Sequence, residues 1–114
     1  YIAGENVAKF DLNFIRTKSK KYSLDLPFQH RSYDLNTAAI LRYEQIHGFI
    51  PIVNGKNELS LNGILDFVGI KYERKSHGAL EDCKLETEAI SRIRHGKNIF
   101  EEYKVFKIPE YLRG

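Results

Sequence analysis

The sequence lacks several things, and each absence closes off a class of protein. It holds one cysteine, Cys83, so no internal disulfide can form and a reducing, cytoplasmic setting is expected. No apolar run approaches the roughly 20 residues of a membrane-spanning helix, so no membrane partner is expected. No stretch combines the charged, apolar and small-residue parts of a secretory signal. Methionine is absent and the chain opens on Tyr-Ile-Ala-Gly, a strand-like segment, so further residues are expected upstream. Internal repeats and low-complexity tracts are missing as well. The reading is therefore one domain over residues 1–114, with 97–114 as a C-terminal extension.

What is present suits a folded domain near the small end for a single core. The chain has 114 residues, of which 42% are hydrophobic and 29% charged. A net charge of +3 is a weak pull on an anionic partner, and it fits a slightly basic enzyme equally well.

Local patterns divide the chain into strands and helices. "YIAG" reads as a short buried strand ending in glycine. In "FDLNFIRTKSKKY", Phe10 and Phe14 recur at i, i+4 ahead of Arg16, Lys18, Lys20 and Lys21, which predicts a helix with a solvated basic end. "RSYDL" reads as a strand running into a helix at "NTAAILRYEQIH", with Asp34 placed to cap it. "GFIPIVNGKNE" carries Pro51 and an Asn-Gly turn signal, as in a loop or small hairpin. "SLNGILDFVGI" is the clearest helix. Ser60 caps it, Leu61, Ile64, Leu65 and Val68 form the stripe, and Gly69 ends it. "HGALEDCKLETEAISRIRHG" predicts a longer helix closed by Gly96. Its apolar stripe is expected through Ala79, Cys83, Thr87 and Ile90, with Cys83 as a small core residue and Asp82 beside the stripe. The aromatic tail "NIFEEYKVFKIPEYLRG" predicts a final helix plus extension. Strand, helix, strand and three helices in this order make an α/β domain.

Three stretches carry chemistry. "GENVAKFDLNFI" places Asp11 at a helix start after a strand. "HRSYDLNTAA" places Asp34 at a strand-to-helix junction, where capping is the expected role. "SHGALEDC" sets His77 five residues ahead of Asp82. By themselves, first-turn acids such as Asp11 and Asp82 need be no more than favourable partners of a helix dipole, worth a few tenths of a kcal/mol.

Taken in order, these motifs resemble the second half of the DEDDh 3′–5′ exonucleases, the group of the polymerase proofreading subunit and RNase T. That group's middle motif is G-H-N-x-x-F-D and its last is H-x-x-x-x-D. The resemblance runs from Tyr1 to about Gly96. It implies an RNase H-like exonuclease fold, here without its opening strands. It also implies two Mg²⁺ or Mn²⁺ ions, with Asp11 and Asp82 as ligands and His77 as the general base toward the attacking water. An imidazole with a pKa of roughly 6.5 is largely neutral at working pH and able to take that proton. The implied partner is the 3′ end of single-stranded DNA or RNA, with Asn6, Phe10, Arg16 and Lys18 as nucleic-acid contacts.

The chain departs from the family pattern in three places. Glu5 stands where the family has histidine. Asn6 and Phe10 are separated by three residues instead of two, which a one-residue bulge would absorb. Most consequentially, no aspartate is followed two positions on by glutamate, so the family's first motif, Asp-x-Glu, is absent from these residues. The expectation is that the missing carboxylates come from upstream residues or another chain. The alternative is a non-catalytic nucleic-acid-binding or interaction module on the same scaffold.

Overall fold

A computed structural model describes residues 2–5, 11–25, 32–50, 52–53, 56–57, 59–71 and 78–113. Strand β1 (Ile2–Gly4) pairs in parallel with β2 (Ser32–Asp34), in the register Ile2↔Ser32, Ala3↔Tyr33 and Gly4↔Asp34. Parallel strands need a long crossover, and helix α1 (Asp11–Lys21) occupies it. The described side chains of α1 stay outside the core. Phe14 is 61% exposed, with the Lys18 ammonium 5.6 Å from its ring centre.

Asp34 ends β2 and starts α2 (Leu35–His47). Its backbone is extended, and Oδ1 accepts the N–H groups of Asn36 at 2.9 Å and Thr37 at 3.3 Å. The expected cap is therefore formed, and it satisfies donors that the first helical turn leaves without partners. Strands β3 (Ile52–Val53) and β4 (Lys56–Asn57) form the small antiparallel hairpin. The Asn54-Gly55 turn between them lies outside the described residues. Helix α3 (Leu61–Phe67) follows, with Ser60 Oγ accepting the Gly63 N–H. Gly78 precedes α4 (Ala79–His95), and Gly96 closes it in the left-handed conformation. The fold is thus a small mixed α/β domain, mostly helical, with a two-stranded parallel sheet. No helix among the described residues is long and apolar enough to cross a membrane.

The core gathers Leu35 and Ala39 of α2, Ile64, Leu65 and Val68 around α3, and Leu85, Ala89 and Ile93 of α4. Each large aliphatic side chain buried here contributes about 1.5–3 kcal/mol relative to exposure. The α3 stripe falls where its spacing puts it. That of α4 does not. Ala79, Cys83 and Thr87 are exposed, Ile90 alone of the four packs against the core and is only half-buried, and the buried residues are Leu85, Glu88, Ala89, Ser91, Arg92 and Ile93. At 3.6 residues per turn this face lies about half a turn from the expected one. Two charged residues, Glu88 and Arg92, lie at its centre and neutralise each other inside, so hydrophobicity alone points to the wrong side.

The tail is corrected too. In place of a final helix it forms two single turns of 3₁₀ helix, Glu101–Tyr103 and Glu110–Leu112, which bury Tyr103 and Leu112 in the core. Its backbone is held by distant partners: Arg92 Nη2 donates to the carbonyls of Tyr103 at 3.0 Å and Phe106 at 2.8 Å. Two glycines let it approach. A Cβ on Gly69 would sit 2.8 Å from the Lys107 carbonyl oxygen, and one on Gly96 would overlap that of Leu112. Both have positive φ, so an L side chain would be strained at either position as well.

Candidate functional site

The most informative contact joins the two ends of the chain. The backbone N–H of Glu5, at the end of β1, donates to Glu86 Oε1 at 3.0 Å. Glu86 lies four residues after Asp82, so the two carboxylates stack on one side of α4. That side is continuous with the buried face through Leu85 and Ala89, and Asp82 is half-buried in the first turn. The acidic pair Glu81 and Asp82 also complements the positive end of the α4 dipole. The segment opening on "GEN" and the helix that carries Asp82 are therefore adjacent, although 81 residues apart in sequence.

The remaining expected site residues divide by what is described. His77, Asn6 and Phe10 lie outside the described residues. Asp11 opens α1 with its backbone, and its side chain is outside the described part. Arg16 is half-buried and Lys18 exposed on α1. Asp34 spends its carboxylate on the α2 cap. Of the two expected metal ligands, only Asp82 has a described side chain. Among the described residues no group of three or more His, Cys, Asp or Glu side chains is gathered.

The donors at this end of α4 match a magnesium-type ion in kind. Asp82 and Glu86 offer hard carboxylate oxygens, the donor type that such an ion prefers, and Cys83 lines the same groove as Glu86 with an exposed side chain. Glu86 was not singled out from the sequence. Its spacing from Asp82 was visible there, but its bond to the Glu5 backbone depends on a long-range contact that no local pattern encodes.

A groove of about 410 Å³ runs along the outer face of α4 beside β1, lined by Ala3, Cys83, Thr87, Ile90 and Ile99 among others. This is the stripe that the sequence suggests as core. A second, cationic cleft lies at the far end of the helix. Compared with known proteins, the chain matches no family model, no curated protein and no solved structure.

Proposed function

We propose that this chain is the C-terminal portion of an RNase H-like domain of the DEDDh type, a 3′–5′ exonuclease acting on single-stranded DNA or RNA. The observation that carries the reading is the Glu5–Glu86 hydrogen bond. It brings the start of the "GENVAKFD" motif against the helix that begins within "HGALEDC". A two-metal hydrolase needs acids from separate elements to converge, and this contact supports that reading by setting the segment that leads into the motif beside the acidic first turns of α4. The setting is a reducing, cytoplasmic one, in keeping with a lone, exposed thiol.

Each residue then has a defined task. Asp11 would hold one Mg²⁺ or Mn²⁺ ion and Asp82 the other. The ions, when bound, lower the pKa of water and neutralise charge on the phosphodiester. His77 accepts the proton of the attacking water, and Gly78 after it lets the loop meet α4 without a side-chain cap. Arg16 and Lys18 face the strand's phosphates. A non-catalytic binding module is the second reading, favoured by the absence of Asp-x-Glu from the sequence.

Manganese binding tests the assignment of Asp82. In an electron paramagnetic resonance titration, the wild-type chain should reduce the free Mn²⁺ signal, and Asp82→Ala should lose most of that affinity. Asp34→Ala, which removes a cap, should keep it. Equal Mn²⁺ affinity in wild type and Asp82→Ala would remove Asp82 from the ligand set.

A further inference from the structure

The cationic cleft at the C-terminal end of α4 has no task in the exonuclease reading. It has a volume of about 670 Å³ and is lined by Arg42, Arg94, His95, Lys97 and Arg113, with no carboxylate among its lining residues. Residues 94 and 95 belong to the last turn of α4, where cations complement the helix dipole. That explanation does not extend to Arg42, which comes from the middle of α2, or to Arg113, which comes from the tail. Three separate elements turn positive charge into one opening. Among the described residues none of the four Arg and Lys side chains makes an ion pair with a carboxylate.

Their positions are fixed by neutral groups. Arg42 Nη2 donates to the Tyr111 carbonyl at 3.3 Å, and its buried Nε has no acceptor. Arg113 Nε donates to the Ile108 carbonyl at 2.9 Å. The Arg94 guanidinium lies 5.8 Å from the centre of the Tyr33 ring. Three full positive charges are thus held in place, with no carboxylate partner among the described residues.

Tyr111 connects this cleft to an aromatic cluster. Its ring stacks on Phe67 at 5.6 Å and 20° and meets His47 at 6.0 Å. His47 packs on Tyr43 at 4.3 Å, and Tyr43 meets Phe49 edge-on at 5.7 Å. The inner rings anchor the outer ones. Phe49 is 58% exposed and Tyr111 41% exposed. Rigid rings facing solvent beside unpaired cations are what a single strand uses, since bases stack on the rings while phosphates meet the charges. An acidic peptide would answer the cations and leave the rings uncovered.

We propose that this face, formed by α2, the C-terminal end of α4 and the Glu110–Leu112 turn, binds single-stranded nucleic acid, with phosphates in the cationic cleft and bases on Phe49 and Tyr111. It is a separate site from the Asp82 end. Twelve residues of α4 divide Asp82 from Arg94, about 18 Å along the axis at 1.5 Å per residue. The proposal does not depend on hydrolysis: a chain that holds a strand without cutting it would use the same face.

The test is fluorescence anisotropy of labelled oligo-dT and oligo-U on the full chain in EDTA, across a salt series. Wild type should bind with a steep salt dependence. Arg94→Gln/Lys97→Gln should flatten the slope of log K against log salt by about 1.4, at about 0.7 per lost contact to a single strand. Phe49→Ala should weaken binding about 5- to 150-fold with the slope unchanged, the range for losing one stacked base. Circular dichroism checks that each surface variant is folded. Absence of binding at low salt would overturn the proposal. So would full affinity in Phe49→Ala, or displacement of the oligonucleotide by polyglutamate as readily as by unlabelled strand.

Discussion

Arg92→Met should destabilise the domain by about 3–5 kcal/mol, the cost of leaving one member of a buried ion pair without the other. Arg92 and Glu88 are both fully buried and meet at 3.0 Å, one helical turn apart on α4. Arg92 also donates to the Val68 carbonyl at 3.0 Å and to those of Tyr103 and Phe106. Glu88 in turn accepts the N–H groups of Ile99 at 2.8 Å and Phe100 at 3.1 Å, and the Asn98 amide. One side-chain pair therefore stitches the end of α3 and residues 98–106 of the tail to α4. Methionine preserves much of the volume but none of the donors. It leaves the buried Glu88 charge without its cation and takes a donor from the carbonyls of Val68, Tyr103 and Phe106. Urea unfolding followed by circular dichroism measures the loss, and a shift below about 1 kcal/mol would mean that the tail is held by its apolar contacts instead.

The same pair gives stability a pH dependence. Burial alone pushes the Glu88 carboxyl up, but the two backbone donors, Asn98 and Arg92 together outweigh it, and its pKa lies below the ordinary carboxylate value. A depressed pKa means that the unfolded chain binds the proton more readily. The contribution is full above the unfolded-state pKa and fades as pH falls through the folded-state value, from roughly pH 5 downward. Glu88→Gln removes that titration, so its stability should be lower at neutral pH and fall less steeply in acid.

His77→Ala should lower turnover by roughly 10²–10⁴-fold, the usual range for losing a general base. The mechanism assigns His77 to the proton and the carboxylates to the metal, so the two losses are separable. Mn²⁺ affinity should stay near wild type in His77→Ala and fall in Asp82→Ala. Imidazole added to the solution should restore part of the lost rate, since it supplies a base of similar pKa. If His77→Ala loses Mn²⁺ binding in step with turnover, the histidine is a ligand and not the base.

Which parts of the fold could be read from the sequence follows from how local each determinant is. Helix α3 was legible from end to end, because its Ser60 cap, its Ile64–Leu65–Val68 spacing and its terminal Gly69 lie within ten residues. Asp34 was legible as a cap for the same reason. The end of α4 was visible in Gly96 and its start to within two residues, but its buried face was not. Glu88 and Arg92 look like solvated charges until their partners from the tail are known. That choice of face also placed Cys83 in the core, whereas it is exposed. The tail reads as helical by composition, yet its carbonyls go to Arg92, and Pro109, which has no N–H to donate, precedes the second turn.

The candidate site divides along the same line. Asp82 at the start of α4 was evident from the helix boundary. Glu86 was not, because the bond that gives it meaning comes from the other end of the chain. The cationic cleft was invisible as well, since Arg42, Arg94 and Arg113 are scattered in sequence and meet only when α2, α4 and the tail pack together.

The central claim is hydrolysis from the 3′ end, and a time course tests it most directly. Single-stranded DNA and RNA, labelled at the 5′ end, are incubated with the chain in Mn²⁺ or in chelator. The account predicts a stepwise ladder that shortens from the 3′ end and is abolished by chelator and by Asp82→Ala. Intact substrate at every time point in Mn²⁺, with the strand still bound, would contradict it for these residues, leaving a portion short of the Asp-x-Glu carboxylates or a binding module.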